Sequence, residues 1–373
     1  MKKLLLIITI LFASYIVDAQ TINLVKDESY AVSGDWTKIC DNAKKLTVFD
    51  DGTAMISHTN ENRYSLFDKN GKLLKDIKIY FEDGKKKPFN LQPVFGKINN
   101  LYFTGTNSQG IIYFFNDNGL IVKEITIDFS VYNMIPLDDN HIAFYGGTSW
   151  RTKWRDFVAI LDINTGKYKI IFDYYEDTPS KNDDYYIYAK AHVNKRPEIF
   201  KVNDNLIVAI PQEGVLKVFD FAGNKVSEHK LDWKPKTLSV EEQKKIQAKA
   251  IAKYKQEAAN AEHNIYFNDF ILRLENGMDH ITQPLSLSKF TLAMKCNGDN
   301  IILFEYAEES GQNSFHTYSV GQHKTISQNT FQCSDFDLSI TKNKFVIHNG
   351  YVYGIQEVKG LKNGVRLVRF EMK

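Results

Sequence analysis

"YSLFDKNGKLLKDIKI", residues 64–79, alternates apolar and polar residues on both sides of Asn70-Gly71. A period of two marks a strand with one buried face, and Asn-Gly supplies the positive φ of a tight hairpin turn. The stretch reads as a β-hairpin. Four more follow: "IYFFNDNGLIVKEITI" at 112–127, "VAILDINTGKYKIIFD" at 158–173, "LKVFDFAGNKVSEHKLD" at 216–232 and a weaker "FHTYSVGQHKTISQNTF" at 315–331. A fixed unit repeated along a chain signals a repeat architecture before anything else.

Upstream of each hairpin lies a shorter one, with turns at Asp51-Gly52, Asn99-Asn100, Asp139-Asn140, Asp204-Asn205, Asp299-Asn300 and Asn349-Gly350. The unit is thus four antiparallel strands, A to D, with a period of about 45 residues, which favours propeller blades over a sandwich. The A–B turns number six, but the C–D turns number five: Asn70-Gly71, Asn118-Gly119, Thr165-Gly166, Gly223-Asn224 and Gly321-Gln322. The last unit ends on its C strand, "GVRLVRFEMK", and "TINLVKDESYAV" at 21–32 offers the missing D strand. Sharing a blade between the two chain ends leaves only short, protected edges. The expected fold is all-β: a six-bladed β-propeller closed by an N-terminal strand. Residues 234–289 form an insertion before blade five, containing a helix over 239–262 with a Ser239/Glu242 capping box.

The N-terminus reads as a secretory leader, residues 1–19. Lys2 and Lys3 precede an apolar run, Leu4 to Phe12, too short to span a bilayer, and Val17-Asp18-Ala19 suits cleavage. A single propeller domain over 20–373 is then expected outside the cytoplasm, periplasmic or extracellular. No cysteine directly follows the cleavage site, where Gln20 stands, so lipid attachment is not expected. The net charge of +2 gives no one-signed field of the kind that binds nucleic acid or a membrane surface. The 20 Tyr and 25 Phe suit a β core, and three cysteines without a CxxC pair suit neither a disulfide scaffold nor a zinc site. One bridge among Cys40, Cys296 and Cys333 is possible, and the spacing does not choose it.

On the four-stranded repeat, the leader, and the segment "YFNDFILRLENGMDHITQPLSLSKFTLAM" ahead of unit five, the chain resembles exported bacterial six-bladed β-propeller proteins, relatives in shape of the NHL and TolB-type propellers. The resemblance covers nearly the whole chain after the leader and implies the fold and export. Those families are mostly of unassigned function. Kelch, WD40 and Asp-box patterns do not match, and the carboxylate and asparagine ligands of the lactonase propellers have no counterparts here. Shape alone carries no activity.

Function is sought on the face formed by the B–C and D–A loops, which are long and varied, whereas the A–B and C–D turns are uniformly tight. "GGTSWRTKWRDF", 146–157, is the B–C loop of unit three. Trp150 and Trp154 offer flat apolar surfaces, and Arg151, Lys153 and Arg155 offer anion pairing and ring stacking. The alternative is a decorated turn in which Trp154 packs on the next blade and Arg155 pairs with Asp156. The D–A loop from unit three to unit four adds Tyr185, Tyr186, His192 and Arg196, or is merely a packed flap. Sugars and peptides are held by such aromatic faces with a few polar groups. No GxSxG elbow, HxH or HxxxH pair appears, so the sequence identifies no catalytic residue, and no metal or cofactor is expected. The leading expectation is a non-catalytic binder of a protein, peptide or glycan in the cell envelope, as a monomer or part of an assembly. The alternative is a hydrolase or lyase at the mouth of the central channel, and a third is a purely structural role.

Overall fold

In a computed structural model, the described residues are 19–31, 36–38, 44–58, 62–82, 91–106, 110–150, 153–177, 184–191, 196–234, 236–259, 265–290, 292–305, 314–333, 345–358, 360–361 and 364–373. The expected leader lies outside them except for Ala19.

The first strands are β1 (Ala19–Lys26) and β2 (Thr37–Lys38). Meander one is β3 (Lys44–Val48), β4 (Ala54–His58), β5 (Arg63–Phe67) and β6 (Leu73–Lys78). Meander two is β7 (Gly96–Ile98), β8 (Leu101–Gly105), β9 (Ile111–Phe115) and β10 (Ile121–Thr126). Meander three is β11 (Ser130–Pro136), β12 (His141–Trp150), β13 (Lys153–Asp162) and β14 (Tyr168–Asp177). A helical turn, α1 (Tyr188–Ala191), precedes meander four: β15 (Glu198–Val202), β16 (Asn205–Ile210), β17 (Val215–Asp220) and β18 (Lys225–Lys230). The insertion follows as β19 (Thr237–Leu238), α2 (Val240–Ala259), α3 (Ile265–His280) and β20 (Leu285–Ser286). Meander five is β21 (Leu292–Lys295), β22 (Asn300–Phe304), β23 (Ser314–Ser319) and β24 (Lys324–Gln332), and meander six is β25 (Phe345–His348), β26 (Tyr351–Glu357) and β27 (Gly364–Met372).

The first four meanders are separate four-stranded antiparallel sheets. Side chains on the two faces of each sheet enter two different cores, so the meanders stack face to face. Phe115 and Tyr64 join meanders one and two, Phe114 and Phe144 two and three, Tyr145 and Phe219 three and four. Leu216 and Leu303 join four and five, Phe304 and Phe370 five and six, and Tyr353 and Phe67 close six onto one. The A strands lie innermost and touch in ring order: β7 meets β11, β11 meets β15, β15 meets β21, β21 meets β25 and β25 meets β3. Outer strands such as β6 and β10 alternate intermediate and exposed residues instead. The architecture is a β-propeller.

The turns form where the glycines and asparagines stand. Gly71 has φ +79° and Gly119 φ +89°, values that side chains with a Cβ rarely adopt. Asp68 Oδ1 accepts from Asn70 N and Lys72 N at 2.9 Å, and Asn116, Asp162 and Asp220 repeat this capping at the next three C–D turns. Two A–B turns shift by one residue from the expected pairs: the positive φ falls on Asn203 in meander four and Gly298 in meander five. In the C–D turn of meander five it falls on His323.

The closure is more elaborate than one borrowed strand. Leu24–Lys26 pair antiparallel with β27, backbone bonds from Asn23 to Lys373 and from Asp27 to Arg369 extend the ladder, residues 28–31 leave it, and Thr37–Lys38 resume it further along. Ala19–Asn23 pair parallel with β24, so β1 joins meanders five and six into one sheet. Arg369 clamps the seam: its Nε and Nη2 donate to Asp27 Oδ2 at 2.9 and 2.6 Å, and its guanidinium lies 4.5 Å from the Tyr30 ring and 4.6 Å from the Tyr351 ring. Burial alone would raise the Asp27 pKa, but hydrogen bonds from Ser29 and Arg369 outweigh it and hold the carboxyl below its ordinary value. Cys296 and Cys333 are free thiols, and Cys40 lies outside the described residues.

Candidate functional site

The stretch 146–157 is mostly strand. β12 and β13 pair over their full length up to Trp150 opposite Lys153, with Arg151 and Thr152 outside the described residues. Position 154 pairs with Ser149, so in the pleat positions 150 and 154 fall on opposite faces of the sheet. Positions 150, 153 and 155 share one face, and 154 shares the other with Asp156. The four described positions of the expected contact group are therefore divided between two faces of the sheet, and Arg151 lies outside the described residues. Arg155 is committed to a carboxylate, though not to Asp156: its Nε and Nη2 donate to Asp173 Oδ1 and Oδ2, both at 2.8 Å, and it lies 5.7 Å from the Phe157 ring.

Asp156 lies on the face toward meander four and is buried. It fills the space left by the missing side chain of Gly147, whose Cβ would stand 2.6 Å from Asp156 Oδ1. The Tyr132 and Tyr145 rings lie beside it, 5.4 Å apart, and the Arg196 guanidinium sits 5.4 Å from the Tyr132 ring. Burial raises the Tyr132 pKa, the Asp156 charge raises it further, and Arg196 opposes both. Sequence reasoning singled out Arg196 but missed Asp156 and the tyrosines, whose meeting depends on cross-strand register.

Tyr185 and Tyr186 belong to a packed cover. The Tyr185 ring stacks on His280 at 3.8 Å, and the Tyr186 ring meets Phe270 edge-on at 5.1 Å. Gln247 is fully buried at the centre: its Nε2 donates to Tyr186 O at 2.6 Å and Leu274 O at 2.7 Å, while its Oε1 accepts from Tyr188 N at 2.7 Å. The segment 184–191 is thus clamped to α2 and α3. The helix start is as the capping box predicts, with Ser239 N donating to Glu242 Oε2 at 2.7 Å and Glu242 N to Ser239 Oγ at 3.2 Å. The second helix, α3, was not expected. Its buried Ile271 and Leu274, three residues apart, were the available signal. His192 lies outside the described residues.

Lys45 and Glu198 stand near the start of the innermost strands β3 and β15, on the B–C and D–A side of the ring. Burial lowers the Lys45 pKa, and Glu198 acts against that shift. Near the other end of the inner strands, burial lowers the His348 pKa, the Asp50 charge opposes and the Lys295 charge adds to the lowering.

Two further constellations resemble catalytic sets. Ser65 Oγ is 2.8 Å from His58 Nε2 and donates to Asp76 Oδ1 at 2.5 Å. In a nucleophilic triad the histidine takes the serine proton and the carboxylate orients the histidine. Here the carboxylate accepts the serine hydroxyl's hydrogen bond itself, and Ser65 is fully buried. With Arg63 Nη1 donating to Thr37 Oγ1 at 3.2 Å and Asp76 Oδ2 at 3.0 Å, the set braces β2 against meander one. On meander five, His316 Nε2 bonds Glu305 while its ring packs 3.8 Å from Trp233. Among the described residues no group of three or more His, Cys, Asp or Glu side chains converges to hold a metal ion, and no helix is long and apolar enough to cross a membrane.

Comparison with known proteins agrees on the fold. No family model matches the chain, and no curated protein matches it. Among solved structures, a member of the DUF4221 family from Bacteroides vulgatus matches with a TM-score of 0.52 at 13% identity, over 95% of this chain and 99% of that one. A protein described as exported, from Bacteroides fragilis, matches with a TM-score of 0.49 at 11% identity, over 94% and 95%. The calcium-binding protein regucalcin from Agrobacterium tumefaciens follows at 0.45 and 10%, over 95% and 96%. The chain is a β-propeller. Of these three, only the first is similar enough to speak for the fold, and at 13% identity it speaks for the fold alone.

Proposed function

We propose that the chain is an exported six-bladed propeller, one blade per meander, that binds a protein, peptide or glycan of the cell envelope on its B–C/D–A face and performs no chemistry of its own. One observation carries this reading: the two faces of the ring are built differently. The turn face spends its polar groups on itself, since the carboxylates and amides at its C–D turns cap their own backbones. The opposite face carries the ten-residue strands of meander three and the helical cover. We assign the contact to Trp150, Arg151, Lys153, Trp154, His192 and Arg196. The Arg155–Asp173 fork stiffens the hairpin behind the tip, and Tyr185 and Tyr186 help hold the cover.

Export rests on the leader, cleaved after Ala19, and sets the protein in the periplasm or outside the cell without a lipid anchor. Mass spectrometry of the native N-terminus checks this, and a chain still starting at Met1 refutes it. For the binding face, Trp150→Ala and Trp154→Ala, singly and together, are compared with the parent protein on a glycan array and in pull-down from an envelope extract. Loss of a binding signal with an unchanged circular dichroism spectrum supports the reading. Retained binding in the double variant removes this hairpin from it.

A further inference from the structure

Lys45 is an exposed side chain on the innermost strand of meander one, yet protein crowds it closely enough for burial to lower its pKa. Both hold for a group standing in solvent inside a narrow channel. Glu198 locates it. It belongs to meander four, with two meanders between it and meander one in one direction and two in the other, so its charge reaches Lys45 across the axis. The Phe95 ring, from the segment leading into β7, lies 5.1 Å from Lys45 Nζ. Among the described residues the Lys45 ammonium makes no ion pair, whereas Lys75, Lys97, Arg63, Arg155 and Arg369 each hold a carboxylate. A cation stripped of part of its hydration and holding no carboxylate at ion-pair distance favours an anion that can reach it.

We propose that Lys45 anchors the anionic group, carboxylate or phosphate, of a small ligand entering the central channel from the B–C/D–A mouth, with Phe95 as the apolar wall beside it. Glu198 sets the ligand's polarity: it repels an anion from the far wall and favours a hydroxyl or amine there. This site lies on the channel wall and does not depend on the hairpin of meander three, although both open on the same face.

The test uses the full chain after reductive ¹³C-dimethylation of its lysines. The Lys45 resonance is assigned by its absence from Lys45→Arg, and inorganic phosphate and acetate are titrated separately at constant ionic strength. The expected result is a saturable shift of the Lys45 resonance with at least one probe, and the stronger probe identifies the class of anion. Calorimetric phosphate or acetate binding should fall about tenfold in Lys45→Gln, as for loss of one charge-assisted hydrogen bond, and survive in Lys45→Arg. Glu198→Gln should tighten it. An unmoved Lys45 resonance with both anions, or equal binding by Lys45→Gln and the parent, overturns the proposal. Trp150→Ala/Trp154→Ala should leave these titrations unchanged, so failure of the hairpin reading and failure of this one are separable.

Discussion

Gly277→Ala reverses the usual sign of a helix substitution. Gly277 lies inside α3, where replacing glycine with alanine ordinarily stabilises by about 1 kcal/mol. Here an added Cβ would stand 2.2 Å from Tyr186 O and 2.7 Å from Gln247 Nε2. Ordinary contact begins at 3.4 Å, so the backbone of the flap must retreat by about 1.2 Å. The Gln247 Nε2 to Tyr186 O bond is 2.6 Å, and a retreat of that size carries it out of hydrogen-bonding range. The neighbouring Tyr186 N to Arg273 O bond, 2.7 Å, is strained or lost with it. Two buried bonds at about 1–3 kcal/mol each outweigh the propensity gain and leave a net loss of roughly 1–5 kcal/mol. Residues 184–191 form a peripheral segment, so the loss should appear first as local release. Hydrogen exchange followed by mass spectrometry should show faster exchange over 184–191 and around Arg273, with a urea midpoint unchanged or lowered. A variant that is about 1 kcal/mol more stable with unaltered exchange in the flap would refute the packing described for Gly277 and Gln247.

Other outcomes follow from the same contacts. Asp27→Ala leaves Arg369 without its carboxylate in a largely buried seam and should cost about 3–5 kcal/mol in urea denaturation, with β1 becoming sensitive to protease. Retained resistance would mean that the β24 pairing alone holds the strand. Burial and His323 lower the His229 pKa, and burial, opposed by Asp50 and aided by Lys295, lowers that of His348. Their unfolded forms take up protons first, so their contribution is full above the ordinary histidine value of 6.5 and declines as pH falls below it. The urea midpoint should drop between about pH 7.5 and 5.5, by less in His348→Gln. Burial pushes the Cys296 thiol up to about 11, so a thiol reagent near pH 8 should label Cys333 and spare Cys296 until the protein unfolds, as read by peptide mapping.

The repeat was legible because each blade is a local object. Alternation and the Asn-Gly turns report pairing between neighbours in sequence, and "YSLFDKNGKLLKDIKI" becomes β5, a turn and β6, paired antiparallel with one register shift at Leu66/Phe67. The Ser239/Glu242 start of α2 was equally local. Arg155 shows the limit: the adjacent Asp156 was the only partner the sequence could suggest, yet the pleat turns 155 and 156 to opposite faces and strand D brings Asp173 to Arg155.

By itself, then, the sequence determined the four-stranded unit, its turns, the helical insertion and the face where the chain varies, because each depends on residues a few places apart. Tertiary structure decided which residues meet. It divided the aromatic and basic hairpin between two sheet faces, tied the tyrosine flap to helices more than 50 residues away through Gln247, and split the N-terminal strand between two meanders. It also set Lys45 and Glu198 on opposite meanders, where the charge of one reaches the other only when the ring has closed. Side-chain meetings of that kind depend on cross-strand register and ring closure, which pattern along a single chain does not encode.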